Sequence, residues 1–275
     1  LKPAVATVPA YLRSQGSLSL RFERRGGATV LRRRQEGGCL RVRVPRGRTT
    51  EAVMINTSGG LCGGDAVTQD VMWDTGTAAV LTTQAAEKVY GSRGPASTVS
   101  TRLTVAAGAH GEWLPQETIL FDGARLEREA AIVVQGDATL LWCECLVFGR
   151  LARGERFASG MLRDRVRAWR DGTLIYADVL DLGEAPAAQM ARAALGNGAT
   201  ASAVILALGG DGAGRLDALR AELEHHPNVL AGASAWNGIV SARLLCADPA
   251  ALRLCLSGAL DVLRGDARLP RVWRC

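Results

Sequence analysis

The sequence predicts a mainly β protein, a large body of many short strands followed by an α+β unit with two helices. Three observations predict it. Apolar and polar residues alternate at period two through the first two thirds of the chain, Gly and Asp-Gly turn signals separate the runs, and helical periodicity is scarce before Ala185. A chain of 275 residues can bury a substantial core, and its 48% hydrophobic and 22% charged residues are those of a globular rather than a disordered protein.

Each element has a local reason. Residues 17–22 (Ser-Leu-Ser-Leu-Arg-Phe) and 40–44 (Leu-Arg-Val-Arg-Val) each present one apolar and one solvated face. Residues 53–56 form a short apolar strand that runs into Gly59, Gly60, Gly63 and Gly64 and closes on Asp65. Strands come next over 66–73, 99–105 and 140–147. Residues 167–176 read as a hairpin, because Asp171-Gly172 suits a type I′ turn with positive φ at both central positions. A barrel, a sandwich or a stacked β-solenoid accommodates this series.

Helices come late. Residues 186–195 are alanine-rich, open on Pro186 and stop at Gly196-Asn197-Gly198. Beyond them lie a strand over 201–208, a glycine loop over 209–214, and a helix with Leu216, Leu219 and Leu223 on one face. A strand pair over 229–236 and 239–246 leads to a last helix capped by Asp248, with Leu252, Leu256, Ala259 and Leu263 inward. This β-α-β-β-α order is of the split βαβ kind. We divide the chain into a β body, 1–198, and an α+β unit, 199–275, packed on it as one compact chain.

Composition narrows the function classes. No apolar run approaches the roughly 20 residues of a membrane span, and residues 1–10 lack the apolar core of a signal peptide. Seven scattered cysteines, an odd number, argue for reduced thiols and a cytoplasmic protein. The net charge of +6 comes from arginines concentrated over 21–34, 41–48 and 163–170. Because they interleave with apolar residues, a charged outer sheet face is the first reading, an interface for an acidic protein the second. Nucleic-acid binding by the Arg-rich strands is the alternative of a different class.

Familiar catalytic patterns are missing. The Gly59–Asp65 stretch lacks the Lys-Ser/Thr of a P-loop, and the adjoining residues 66–73 read as a strand rather than a phosphate-binding helix. Three histidines, two of them at a helix end, and the core-like Cys143 and Cys145 make no zinc pattern. No Ser or Cys stands in a nucleophile context, so an enzyme is not expected. Glu144 differs. On a strand over 140–147 it shares a face with Leu140, Trp142 and Leu146, and a carboxylate there needs a partner or a polar cavity. Asp65, Glu87, Glu117, Glu144 and Glu155 are the acids that would suit a divalent cation if gathered around an internal cavity.

Five segments carry a resemblance. Residues 56–65 (Asn-Thr-Ser-Gly-Gly-Leu-Cys-Gly-Gly-Asp), 82–90 (Thr-Thr-Gln-Ala-Ala-Glu-Lys-Val-Tyr) and 112–121 (Glu-Trp-Leu-Pro-Gln-Glu-Thr-Ile-Leu-Phe) resemble signature segments of the urease accessory family UreD, also called UreH. So do Glu144 with Gly149-Arg150 and Gly154-Glu155-Arg156-Phe157, and the closing Pro270-Arg271-Val272-Trp273-Arg274. Cys62, Glu87 and Gly91 depart from the residues common at those positions, which speaks against a ligand role for Cys62.

The resemblance implies a β-helical, solenoid-like body and a non-catalytic maturation factor. It implies partners UreF, the GTPase UreG and the urease apoprotein, with no nucleic acid and no membrane. It also implies an internal passage for nickel, for which the five acids are the candidates. Thr83, Gln84, Lys88, Gln116 and Arg150 would be its polar or charge-balancing support, and Gly59, Gly60, Gly63 and Gly64 a structural turn at its wall. No cofactor of its own and no tight metal site are expected; nickel would bind transiently.

Overall fold

In this computed structural model the described residues are 13–47 and 49–274. The reading of residues 1–10, Arg48 of the second arginine cluster and Cys275 among the thiols lie outside them.

The chain begins with β1 (Gln15–Arg25), β2 (Ala28–Gly38), β3 (Leu40–Arg43), β4 (Thr50–Asn56) and β5 (Ala66–Trp73). It continues through β6 (Ala78–Thr83), β7 (Glu87–Val89), β8 (Ser97–Val105), β9 (His110–Leu114) and β10 (Thr118–Leu120). Next come β11 (Arg125–Val134), β12 (Thr139–Phe148), β13 (Met161–Arg170), β14 (Thr173–Leu182) and α1 (Pro186–Ala191). The last part is β15 (Ala201–Leu208), α2 (Leu216–Glu224), β16 (Leu230–Trp236), β17 (Ile239–Cys246) and α3 (Pro249–Arg264).

These strands wind into a solenoid. Sheet A has seven strands in the order β14-β13-β11-β8-β5-β1-β2; sheet B has ten, with the path β16-β17-β15-β12-β9-β6-β4-β3 and β7 and β10 beside it. Each turn of the chain lays one strand in sheet B and the next in sheet A. Parallel pairing keeps the coils in register, with Ala66 beside Thr98, Thr98 beside Glu127, and Glu127 beside Arg163. A short third side is made by the Leu61–Val89 bridge, then β7 beside β10 and β10 beside β12.

Alternation sends one phase of most strands into the space between the sheets. There Phe22 and Trp73, both fully buried, stack with ring centroids 5.8 Å apart; each large side chain so buried contributes about 1.5–3 kcal/mol. A second core lies on the outer face of sheet B, where Leu219, Leu223, Leu252 and Leu256 of the helices cover Cys143, Cys145, Ile205 and Leu244. Strand β12 is thus buried on both faces, Leu140, Trp142 and Leu146 inward and Cys143 and Cys145 toward the helices. β15 pairs antiparallel with β12, so the last three strands continue sheet B.

The Asp171-Gly172 turn has φ of 49° and 81°, as a type I′ hairpin requires. Two expectations need correction. The helix expected over 186–195 stops at Ala191: only Pro186 and Met190 are buried in it, and Leu195, 52% exposed, would have had nothing to pack on. In α3 the fully buried row is Leu252, Cys255, Leu256, Ala259 and Leu260, while Leu263 lies at its margin.

Candidate functional site

Between the sheets, three neighbouring strands each place one charged residue in an otherwise apolar phase. In β11 the inward residues are Leu126, Arg128, Ala130 and Ile132, in β13 Asp164 lies between Leu162 and Val166, and β12 contributes Glu144. The Arg128 guanidinium donates from Nε (2.9 Å) and Nη2 (2.6 Å) to the two oxygens of Asp164, and from Nη1 to Glu144 Oε2 at 2.5 Å. Trp113 Nε1 donates to Glu144 Oε1 at 3.1 Å. Arg128 also reaches Thr118 Oγ1 at 3.3 Å.

One cation faces two carboxylates, so the group carries an excess negative charge in a poorly hydrated place. Burial raises the Glu144 pKa, only partly offset by Arg128. Burial also works against the Arg128 charge, but Asp164 and Glu144 outweigh it and keep the guanidinium protonated.

Space flanks the group on both sides. A cavity of about 60 Å³ is bordered by Glu87, Thr83, Gln69, Gln116, Arg128 and Glu144. A cleft of about 370 Å³, bordered by Glu144, Asp164, Trp142, Asp178, Ser202 and Arg243, lies on the other side. Glu144 faces both. Glu87 accepts from Asn56 Nδ2 at 3.0 and 3.2 Å, and burial raises its pKa despite that contact. The buried Trp142 Nε1 has no partner among the described residues. Among the described residues no three His, Cys, Asp or Glu lie close enough together to hold a metal ion.

Of the sequence-based candidates, Glu87, Glu144, Thr83 and Gln116 meet around the smaller cavity. Thr83 Oγ1 accepts from the Gln116 backbone at 2.8 Å. The others have different places. Asp65, 4% exposed, accepts from the backbone N–H of Ser14 (2.8 Å) and Cys62 (2.7 Å), which makes it the lock of its own turn. Glu117 pairs with Arg253 of α3 at 2.8 Å on the helix side of sheet B. Glu155 pairs with Arg150 near the surface, where the Arg150 guanidinium also lies 4.4 Å from the Phe121 ring centre. Gln84 and Lys88 are exposed, so neither side chain enters the interior.

The glycine turn is tightly specified. A Cβ on Gly60 would stand 2.7 Å from Lys88 O, and one on Gly63 2.6 Å from Pro95 O. Gly59 and Gly64 take positive φ. Arg128, Asp164, Trp113 and Asn56 were not among the sequence candidates. Arg128 and Asp164 were readable by the argument that singled out Glu144, a charge on the apolar phase of a strand, but the surrounding exposed arginines and acids hid them.

The five segments of the resemblance converge on one corner of the solenoid. Tyr90 Oη donates to Gly59 O (3.1 Å), Glu87 lies beside Thr118, and Thr118 beside Leu146. The closing segment joins them through Trp273 Nε1 to Leu114 O (3.0 Å) and Gln116 Nε2 to Val272 O (3.2 Å). The family model described as UreD urease accessory protein matches residues 14–274. The chain belongs to the UreD urease accessory protein family. Urease accessory protein UreD 3 of Methylorubrum extorquens is 45% identical over 282 aligned residues, covering 100% of this chain and 93% of the relative. UreD 2 of Methylorubrum populi is 45% identical over 97% of this chain and 92% of its own length, and UreD of a Methylobacterium species 43% over 97% and 96%. Family segments far apart in sequence are therefore one continuous patch in space.

Proposed function

We propose that the chain acts in urease maturation as a non-catalytic scaffold that joins UreF, the GTPase UreG and apo-urease, and that nickel passes between its two sheets. The relatives' names and the match along the chain support the maturation role. The observation that carries the passage is the Arg128–Glu144–Asp164 group, with space on both sides of one carboxylate. Carboxylate oxygens suit a borderline divalent cation, and the sequence of Glu87, Glu144 and Asp164 provides them one after another rather than as a trap. Arg128 would hold those acids in place and offset part of their charge. Among the described residues no helix is long and apolar enough to cross a membrane.

The test is urease activation by the purified accessory complex at limiting nickel. Glu144→Gln and Glu87→Gln should each lower activated urease severalfold while the complex still assembles on a column. Assembled variants that activate urease as fully as the parent would end the passage reading.

A further inference from the structure

Four strands end the main paths of the two sheets, and three of them carry charge. Edge strand β2 presents Arg32, Arg33 and Arg34 and pairs with β1 through a bulge, β3 is four residues long with Arg41 and Arg43, and β14 carries Asp178 and Asp181. Such charges and irregularities discourage edge-to-edge pairing. The edge of sheet B at β16 has none of them. Leu-Ala-Gly-Ala-Ser-Ala-Trp holds no charged residue and no proline, and runs in unbroken register with β17.

The backbone phase of this edge is set by its turn. Asn237 and Gly238 have φ of 46° and 74°, a two-residue type I′ hairpin in which Trp236 and Ile239 form the hydrogen-bonded pair. Alternation then points the N–H and C=O of Ala231, Ala233 and Ala235 away from β17, to the open side. Arg220 of α2 donates from Nε to Ala233 O at 3.1 Å, as an outward carbonyl allows. The side chains of those alanines pack on the helix side, while Leu230, 63% exposed, and Trp236, 41% exposed, stand on the opposite face with Gly232 and Ser234 between them.

From this edge we infer that β16 is the pairing strand for a second copy of the chain, antiparallel about a two-fold axis at Ala233. The strand is self-complementary in size. Around that axis Leu230 opposes Trp236 of the other copy, Gly232 opposes Ser234, and each outward alanine exchanges hydrogen bonds with an outward alanine. Closed two-fold pairing is the commonest way for a chain to join itself. Arg220 must release Ala233 O for the pair to close, so it holds the edge in the monomer. One strand on each side is a small contact against a standard interface of about 1,600 Å², and the association rises with concentration.

The axis dictates a register. Gly232 and Ser234 form a non-hydrogen-bonded pair with Cα atoms roughly 4.5 Å apart, within disulfide range, whereas Gly232 does not meet itself. In chains carrying Cys62→Ser and Cys275→Ser, Gly232→Cys mixed with Ser234→Cys should cross-link under mild oxidation, and neither protein alone should. In sedimentation of the parent chain a monomer–dimer equilibrium is expected. Ala233→Pro, tolerated at an outward-facing edge position, should shift it to monomer, and Arg220→Ala toward dimer. A chain that stays monomeric at every concentration, including one that pairs only with another protein, overturns the inference. Cross-linking without regard to register overturns it as well.

Discussion

Two buried arginines, built from the same ingredients, meet different surroundings. Arg264, on the last helix, donates from Nε to Glu112 Oε2 at 2.6 Å, with both side chains under 10% exposed. His110 Nε2 lies 3.2 Å from the other Glu112 oxygen. Burial opposes the Glu112 charge, yet His110 and Arg264 prevail and hold its pKa below the usual range. This one-to-one pair ties α3 to β9. Arg128 instead answers two carboxylates, and Glu144 is pushed the other way, toward keeping its proton. The difference teaches that a matched buried pair keeps its carboxylate ionised and acts as a clamp, while an unmatched one pushes a carboxylate toward its neutral form.

The comparison can be broken at several points. Arg128→Met leaves two carboxylates without their cation and should cost about 3–5 kcal/mol in urea unfolding; adding Glu144→Gln should recover part of it. If Arg128→Met proves near neutral, the group is not the charged unit described. Arg264→Met strands one carboxylate that still has His110, and a smaller loss of about 1–3 kcal/mol is expected. A loss as large as that of Arg128→Met would make the two sites equivalent.

Protonation sharpens the contrast with opposite signs. Glu112 has a lowered folded pKa, so its stabilisation is present above the unfolded carboxylate value and is lost as pH falls through the folded one. Glu112→Gln should therefore destabilise most near neutrality and least in acid. Glu144 has a raised folded pKa, so the stability linked to its proton is full below the unfolded value and is lost as pH rises through the folded one. The stability of Glu144→Gln relative to the parent should accordingly improve with rising pH. Parallel pH profiles for the two variants, by thermal melting, would refute the distinction. The smallest change is expected from Lys88→Gln, whose exposed side chain should leave stability within about 0.5 kcal/mol of the parent.

Much of the fold was legible because β structure writes itself locally. Period-two runs such as 17–22 and 99–105, and the Asp171-Gly172 turn, need only their own residues to declare strand and hairpin. The α1 boundary was not legible, since it depends on whether Leu195 finds anything to pack against. In the site, Glu144 could be read from its apolar phase, but of the two amides that Asp65 accepts from, only that of Cys62 lies in its own turn, and that of Ser14 is brought in from 51 residues away. Glu117 and Glu155 have partners, Arg253 and Arg150, whose proximity no strand pattern announces.

What the sequence determined by itself was the kind of element along the runs that alternate and at the turns between them, the family, and the phase that sends Glu144 inward, because alternation and turn chemistry are local properties. Which charges meet was decided only by the tertiary structure. Parallel coils set Arg128 beside Asp164 and across from Glu144 through pairings between distant residues, and the same stacking brings five separated family segments to one corner. Coil stacking is a long-range choice, made when the coils bury their shared core, and no single coil contains it.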